Sequence, residues 1–455
     1  MCKKTGTTIG RLVVLAAVFN IFSPWAVAQT TDTLTLSQCV EIALKNNQNI
    51  KNKRLDELIN QTKIDETRAD LYPQLKAKGS YQYYPSVPKS LVSSAILGGP
   101  PSEFTYSEFQ VPQNIHFAAD FSWQVYNPAI LAALKISKIS KVMSATATKE
   151  KLEAVVYDVS ATFLNIQINE LQADLTRSNI ANLKKNVALT TQLFNQGLAL
   201  RSDADNLNVS IVNLETVLSN QLNGLNQLYY LLKVYMGLPP SFVLCIEKYV
   251  QDDKIYIPAL ETDSSAYAKR SSYLSLKQTG DLLQLQRQSI KAGFLPTVNL
   301  IGSFGYSGLN TEFNFLKSYN SKWYPINLIQ LNLEIPIFDG YKKRSQLLRN
   351  KFELDQNQNT LNYLRNTLQM EQMNAVSTYE KYVKDVEYQI KNLSLANKLY
   401  NQKQLEYRNS TASLNDIIAV ENTLKSAQAN YLNALIKLKL AELDLRKING
   451  QLIKN

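Results

Sequence analysis

The chain has 455 residues but only 15 glycines and 14 prolines, so residues that interrupt helices are sparse. With 19% charged and 45% hydrophobic residues, it is neither a disordered chain nor a bundle of membrane helices. It has one histidine, His116, and three cysteines, which excludes zinc modules built from these residues and disfavours histidine-based catalysis. The net charge of +11 is compatible with nucleic acid or a membrane surface as partner.

Residues 1–28 have the pattern of a secretory signal peptide. Basic residues precede an apolar run, and the segment ends in Ala-Val-Ala at Ala28. The apolar run is too short for a membrane anchor. The segment holds three basic and no acidic residues, so the mature chain carries a net charge of +8. We expect an exported protein with no nucleic-acid partner, whose charge concerns membrane surfaces or solubility.

Two cysteines, Cys39 and Cys245, remain in the expected mature chain. An exported protein meets conditions that permit a disulfide, but free thiols are equally compatible with the sequence. Both alternatives stay open.

The sequence is an internal duplication with a period of about 210–220 residues, too long for a solenoid. Matching landmarks occur in the same order in both copies: 71–84 with 294–307, 125–128 with 337–340, 194–203 with 407–416, and Gly237 with Gly450. The chain therefore divides into a first repeat, 29–240, an inter-repeat segment, 241–264, and a second repeat, 265–455.

Apolar residues at three- and four-residue spacing predict long helices in both repeats. The predicted helices are 36–71, 128–195 and 200–236, then 265–294, 341–408 and 413–449. The helices 128–195 and 341–408 would each be about 100 Å long at 1.5 Å per residue. In each repeat two shorter helices stacked end to end have a similar summed length. We therefore expect a wall of helices about 100 Å tall.

Between the helices the apolar period changes to two, which predicts strands. The four predicted strands are 74–84, 114–126, 297–307 and 327–338, and the segments 85–112 and 308–325 are predicted to be extracellular loops. Strands of about ten residues fit a bilayer that is crossed at a tilt. The alternative is a soluble sandwich with one buried face.

Four strands are too few to close a barrel. Two chains would supply eight strands, which is too narrow for an open lumen, whereas three supply twelve and four supply sixteen. The pattern does not choose between three and four copies. The prediction is an α+β membrane protein with an oligomeric barrel, and His116, on the polar face of its strand, is expected to point into the lumen.

The duplication, the order of elements and the turn Phe-Asn-Gln-Gly-Leu-Ala-Leu-Arg-Ser-Asp (194–203) resemble the TolC-type outer-membrane efflux proteins over residues 34–450. The resemblance implies a homotrimer with a twelve-stranded β-barrel, four strands per chain, continuous with a long α-helical barrel in the periplasm. It implies an exit duct in the bacterial outer membrane. Substrates would pass through passively, delivered by a periplasmic adaptor (a membrane fusion protein) and an inner-membrane pump, in efflux or type I secretion.

The resemblance also implies a periplasmic gate at the turns near 195–203 and 408–416. It places Ser202 and Asp203 where closing hydrogen bonds and salt links form, Tyr407 at an aromatic gate position and Asp416 at a constriction. The expected adaptor contacts are Gly197, Leu198, Ser410 and Thr411. Threefold symmetry would turn Asp416 into a ring of three carboxylates that favours cations and partial protonation. The alternative role for Asp416 is a helix-start carboxylate.

The sequence departs from the family pattern at three positions in and just after the second turn. Ser410 replaces a glycine, Ala412 stands where an arginine link can occur, and Ala419 replaces a second aspartate. Arg201 or Arg408 is a candidate replacement for the missing cation.

The alternative function is a non-conducting outer-membrane adhesin or structural stalk. The polar and apolar alternation favours the duct, because a stalk needs only one lipid anchor. Since no nucleophile–base pair or metal-ligand cluster is visible, we expect no enzyme, cofactor or metal. The basic cluster 341–345 lies just below the fourth strand, where it is either solvated or in contact with anionic lipid.

Overall fold

The computed structural model describes residues 33–249, 266–313, 323–409 and 411–452. The predicted signal peptide, Ser410 and most of the inter-repeat segment 241–264 lie outside the described residues. The helices are α1 (Leu36–Asn46), α2 (Gln48–Ala69), α3 (Pro128–Asn195), α4 (Arg201–Met236), α5 (Ser271–Ala292), α6 (Lys342–Arg408) and α7 (Leu414–Ile448). The strands are β1 (Gln74–Tyr83), β2 (Lys89–Ser93), β3 (Phe104–Glu108), β4 (Gln113–Tyr126), β5 (Thr297–Asn310) and β6 (Trp323–Glu334).

The elements repeat in the order that the sequence predicted. Each half has a helical segment, two long strands, a long helix and a second helix; in the first half the helical segment is divided into α1 and α2, and β2 and β3 lie between the long strands. The four long strands form one antiparallel sheet in the order β1-β4-β5-β6, so the two halves meet between β4 and β5. The sheet therefore stands at one end of a helical body that both halves build.

The prediction of a single helix over 36–71 is wrong, because the chain breaks at Asn47. The amide oxygen of Asn47 accepts hydrogen bonds from the backbone N–H groups of Asn49, at 2.9 Å, and Ile50, at 3.3 Å. This N-cap starts α2 and ends α1, since the backbone of Asn47 has ψ 125°.

The same asparagine fixes the end of α4. Its amide nitrogen donates to the carbonyl oxygen of Tyr235 at 2.7 Å, one of the carbonyls that a helix end leaves without a partner. Gly237 then closes α4 with φ +68°, and a Cβ there would lie 2.5 Å from the carbonyl oxygen of Asn46. The end of α4 thus abuts the break between α1 and α2 so closely that glycine is required.

The two long helices match the predicted height. α3 has 68 residues and α6 has 67, or about 100 Å each. The predicted helix 265–294 is shorter than expected: α5 has 22 residues and is preceded by a short 3-10 turn at Ala266–Lys269. The summed length of α5 and α7, which has 35 residues, is about 86 Å. In the second half the two shorter helices together are therefore shorter than the long helix α6.

Three strand predictions agree with the structure to within three residues at each end, but the fourth is displaced. β6 covers Trp323–Glu334 rather than 327–338. Pro336 has no N–H to donate to a neighbouring strand, which explains why the pairing ends before it although the apolar alternation continues. The segment 85–112, predicted to be a loop, contains the two-stranded hairpin β2–β3.

Apolar cores lie between the helices along their length. One core joins α1, the start of α2, α3 and α4, a second joins α3, α6 and α7, and a third joins the ends of α3, α4, α6 and α7. Leu34 pairs with Ile246 in a parallel bridge beside the first core. The helical body is therefore held together by several separate apolar cores along its length rather than by one compact core.

No helix in the described ranges combines the length and the apolar character needed to cross a membrane.

The two remaining cysteines are free thiols. Cys39 is buried in the first core, where burial raises the pKa of its thiol to about 11. Cys245 is exposed. The disulfide that the sequence left open is not formed.

Candidate functional site: the sheet and the helix tips

One face of the four-stranded sheet is apolar across all four strands. Residues of adjacent strands pair so that Gly79, Phe117 and Tyr306 lie in one row across the sheet. The ring centroids of Phe117 and Trp323 are 6.1 Å apart on the same face. Other large side chains of this face include Leu75, Tyr81, Tyr83, Ile115, Phe121, Trp123, Val298, Leu300, Phe304, Ile329, Leu331 and Leu333. Most of these side chains are exposed, as a lipid-facing surface requires.

The opposite face carries a polar network. The amine of Lys78 lies 2.7 Å from a carboxylate oxygen of Asp120, and the hydroxyl of Ser303 donates to that carboxylate at 2.8 Å. His116 lies in the row of Ser80 and Ser307, which confirms that it belongs to the polar face. This face can line an aqueous space.

The outer edges of the sheet have unpaired backbone groups. β1 pairs only with β4, and β6 pairs only with β5, within the described residues. β6 is exposed over almost its whole length. Unpaired N–H and C=O groups at a strand edge recruit a further strand, so this sheet is built to continue into other chains.

At the far end of the helices, the two interhelical turns share an apolar core. Leu183 of α3, Leu207 of α4 and Ile417 of α7 are each at most 1% exposed in this core. Their packing brings the predicted gate turns 195–203 and 408–416 together in one chain.

The first tip ends α3 with a left-handed glycine. Gly197 has φ +76°, and the N–H of Leu198 donates to the carbonyl oxygen of Leu193 at 2.8 Å, as in a Schellman cap. Because this turn points its side chain outward, Leu198 is 65% exposed. Both predicted adaptor-contact residues of this tip are therefore accessible in the single chain.

Asp203 and Ser202 lie in the first turn of α4. A carboxylate oxygen of Asp203 accepts a hydrogen bond from the N–H of Leu200 at 3.1 Å, and this caps its own helix. Ser202 is exposed. Neither side chain bonds to the second hairpin within the described residues, so a closing link between tips remains a prediction about the assembled protein.

Tyr407 is buried rather than free in the channel space. Its side chain is 6% exposed, and its hydroxyl lies 2.9 Å from the hydroxyl of Thr190, which is fully buried. This hydrogen bond ties α6 to α3 one turn before the second tip.

Asp416 forms a capping box with Ser413 at the start of α7. Its carboxylate accepts from the N–H of Ser413 at 2.9 Å and from the hydroxyl at 2.8 Å, while its own N–H donates to that hydroxyl at 3.2 Å. These hydrogen bonds hold the pKa of Asp416 below its usual value. The single chain thus shows the helix-start role, and any rise of the pKa through neighbouring copies remains a prediction.

The cation whose charge acts on Asp416 is one that the sequence did not indicate. Lys403 lowers the pKa of Asp416 and pairs with Glu406 at 2.7 Å. The candidates Arg201 and Arg408 are exposed and form no ion pair with any described carboxylate. Lys403 was missed because it lies on α6, 13 positions before Asp416 and outside the turn.

Thr411, in the second tip, is exposed but held by its backbone. Its N–H and its hydroxyl both donate to the carbonyl oxygen of Glu406 at 2.9 Å. Thr190 and Ser413, the partners of Tyr407 and Asp416, were also missed by the sequence reasoning. Only the Ser-x-x-Asp spacing of Ser413 and Asp416 gave a usable signal.

The sequence matches the family described as OEP, outer membrane efflux protein, over residues 39–229 and 263–451. These stretches fall in the two halves of the duplication and cover most of the chain. The chain belongs to the outer membrane efflux protein family.

Individual relatives agree with the family match. The chain is 23% identical to outer membrane protein TolC of Escherichia coli (strain K12) over 411 residues, covering 86% of this chain and 77% of TolC. The outer membrane protein VceC of Vibrio cholerae has a similar structure, with a TM-score of 0.70 and 14% identity over 91% of this chain and 96% of VceC. The open MtrE outer membrane channel of Neisseria gonorrhoeae is also similar, with a TM-score of 0.70 and 15% identity over 91% of this chain and 88% of MtrE.

Membership in the family confirms the predicted resemblance, location and function. The protein resides in the outer membrane and extends into the periplasm, and it is an exit duct of a tripartite efflux system. The adhesin or stalk alternative is not favoured. Members of the family are channels rather than enzymes. The described residues contain no group of three or more side chains able to hold a metal ion.

Proposed function

We propose that three copies of this chain close a twelve-stranded barrel and a continuous helical tunnel that passively conducts exported substrates. The observation that carries this proposal is the four-stranded sheet with two unpaired edges, one apolar face and one polar face. Pairing β6 of each copy with β1 of the next satisfies both edges. Twelve strands enclose a lumen, whereas eight are filled by side chains.

In this assembly the apolar face contacts lipid and the polar face lines the lumen. Lys78, Asp120 and His116 then meet water inside the barrel, where charged side chains are tolerated. The paired arrangement of Lys78 and Asp120 leaves little net charge on this part of the wall. Such a lumen selects weakly among solutes.

The helix tips are the proposed docking site for a periplasmic adaptor that connects the duct to an inner-membrane pump. Leu198 and Gly197 form an exposed turn, and Thr411 is exposed on the neighbouring turn. Ser410 belongs to the same proposed contact. The duct would serve efflux or type I secretion, depending on the pump.

The proposed gate consists of Ser202, Asp203, Tyr407 and Asp416, brought together by threefold symmetry. Asp416 is exposed and its pKa is low, so its carboxylate is ionised at neutral pH. Three such carboxylates around one axis repel each other, and a cation entering between them relieves the repulsion. The closed channel therefore passes cations in preference to anions.

The experiment is conductance of the purified channel in planar bilayers. Asp416→Asn removes the charge, but its amide oxygen can still accept from Ser413. We expect a lower cation preference and weaker block by trivalent cations, with the trimer intact. Asp205→Asn is the matched control, because Asp205 is an exposed aspartate in the other tip with no capping role. If Asp416→Asn keeps the cation preference and the block by trivalent cations, Asp416 acts only as a helix cap and not in the gate.

A further inference from the structure

Basic residues are concentrated where the sheet joins the helices. We call this region the collar and define it by the four junction segments 59–72, 127–138, 282–296 and 335–352. The collar has eleven basic and four acidic residues, a net charge of +7. Its basic residues are Lys63, Arg68, Lys135, Lys138, Arg287, Lys291, Lys342, Lys343, Arg344, Arg349 and Lys351.

This charge is asymmetric along the molecule. The mature chain as a whole has a net charge of +8, so the collar holds almost all of the excess. In the sequence, the connections 84–112 and 311–322, which join the strands of each half, contain three basic and three acidic residues. Solubility alone would not require that the positive charge gather at one end of the strands.

Most of the collar cations have no partner carboxylate. Arg68 pairs with Asp65 at 3.1 Å, Lys343 with Asp339 at 3.3 Å, and Arg349 with Glu353 at 3.4 Å. The other eight are exposed and form no ion pair with any carboxylate that the structure describes. The positive charge of the collar is thus available to an external anion.

Exposed apolar side chains lie between the sheet and these cations. In the segment from β6 to α6, Ile337 is 95% exposed, Phe338 74% and Tyr341 63%, and Lys342 and Arg344 follow immediately. Phe294, before β5, is 47% exposed and lies under the amine of Lys343 at 5.2 Å. An apolar and aromatic belt next to basic side chains is the arrangement that a membrane interface favours.

We propose that the collar binds the phosphate groups of anionic phospholipids in the periplasmic leaflet of the outer membrane. The apolar belt would contact the acyl chains while the lysine and arginine side chains reach the headgroups. Lys342 and Arg344 lie in the first turn of α6, and Lys351 is only about 14 Å further along the helix. The first turn of α6, next to the apolar belt, is therefore the part of this helix best placed to reach the headgroups, whereas Lys351 lies more than one Debye length, roughly 8 Å, further along.

The test uses the purified mature trimer in detergent, with bound lipid counted by native mass spectrometry. Phosphatidylglycerol and phosphatidylcholine, which share acyl chains but differ in net charge, are added separately at equal concentration. We expect the protein to retain phosphatidylglycerol about fivefold more than phosphatidylcholine, because each basic residue near the headgroup adds attraction. Equal retention of the two lipids would overturn the proposal.

The decisive variant is Lys291→Gln/Lys342→Gln/Arg344→Gln, which removes three exposed cations without a partner. We expect it to lose about fivefold or more of the bound phosphatidylglycerol and to keep its phosphatidylcholine. The matched control is Lys384→Gln/Lys391→Gln/Lys398→Gln, three exposed lysines on the same α6, about 60 Å from the collar. Unchanged phosphatidylglycerol in the collar variant, or an equal loss in the control, would contradict the proposal.

Two further measurements use the unaltered protein, so they test the lipid-binding proposal even if the variant fails to assemble. Raising the salt from about 50 mM to about 500 mM should release phosphatidylglycerol but not phosphatidylcholine, because screening weakens exposed charge pairs. Inorganic phosphate at about 10 mM should not displace the lipid, since it lacks acyl chains. A salt-independent preference, or displacement by free phosphate, would overturn the lipid assignment.

Discussion

Two carboxylates on α7, five positions apart, have opposite environments. Asp416 is exposed, and hydrogen bonds from Ser413 lower its pKa. Glu421 is only 6% exposed, and burial raises its pKa although Lys425 lies 3.0 Å away and opposes the rise. An ionised Asp416 is therefore stabilised in place, whereas an ionised Glu421 costs stability.

This difference predicts a pH-dependent effect of Glu421→Gln. The folded protein holds a proton on Glu421 more tightly than the unfolded chain does, so wild-type stability falls as the pH rises from about 4.5 through the raised pKa. Glutamine removes the buried charge, and we expect the variant to unfold at a higher temperature at pH 7. The gain should vanish below about pH 4, where both states protonate Glu421.

The measurement is thermal unfolding of the purified channel across this pH range. Glu387→Gln, which removes an exposed glutamate from α6, is the control and should show no such pH-dependent gain. A Glu421→Gln variant that is less stable than wild type at pH 7 would show that the Lys425 pair outweighs the burial.

For individual residues, the sequence indicated the positions of the candidate gate residues but not their hydrogen-bond partners. The family resemblance predicts gate roles for Asp416 and Tyr407 at the second tip; in the structure Tyr407 lies in the last turn of α6 and Asp416 in the first turn of α7. The partner of Tyr407 is Thr190, 217 residues earlier, and no local pattern links the two. Long-range hydrogen bonds of this kind depend on which helix faces meet, which periodicity does not specify.

At the element scale, Asn47 is the residue on which the first helix pair depends. It caps α2 and also binds the last turn of α4. Asn47→Ala removes both sets of hydrogen bonds and leaves the carbonyl of Tyr235 without this donor. Because loss of an N-cap costs about 1 kcal/mol, we expect the backbone amides of Asn49 and Ile50 to exchange with solvent deuterium about five- to tenfold faster.

Hydrogen exchange measured by mass spectrometry checks this prediction. Asn52→Ala, which changes an exposed asparagine one turn into α2, is the matched control and should leave these amides unchanged. Wild-type exchange rates at Asn49 and Ile50 in the Asn47→Ala protein would show that tertiary packing alone fixes the start of α2.

The elements that sequence predicted best are those with a sustained period. Strands β1, β4 and β5 each have one apolar and one mainly polar face, so their alternation located them closely. The break at Asn47 was missed because apolar spacing continues across it, from Ala43 to Ile50. The β2–β3 hairpin was missed because its strands have only five residues each and lie among prolines and glycines.

At the scale of the whole molecule, the chain is incomplete as a channel. Its sheet has two unpaired edges, and its apolar face is largely exposed. The function follows from membership in the family. The unpaired edges of the sheet give a physical reason for assembly, because they can pair with strands of other copies. The sequence alone did not distinguish three copies from four, because counting strands excludes only barrels of four or eight strands.

If this chain supplies one third of a closed barrel, the protein extracted in detergent must have the mass of three copies. The mature chain is expected to have a mass of about 47 kDa, at roughly 110 Da per residue. Native mass spectrometry of the detergent-extracted protein should give about 141 kDa, three copies, without a significant monomer population. A stable monomer of about 47 kDa, or a tetramer of about 188 kDa, would contradict a barrel closed by three chains.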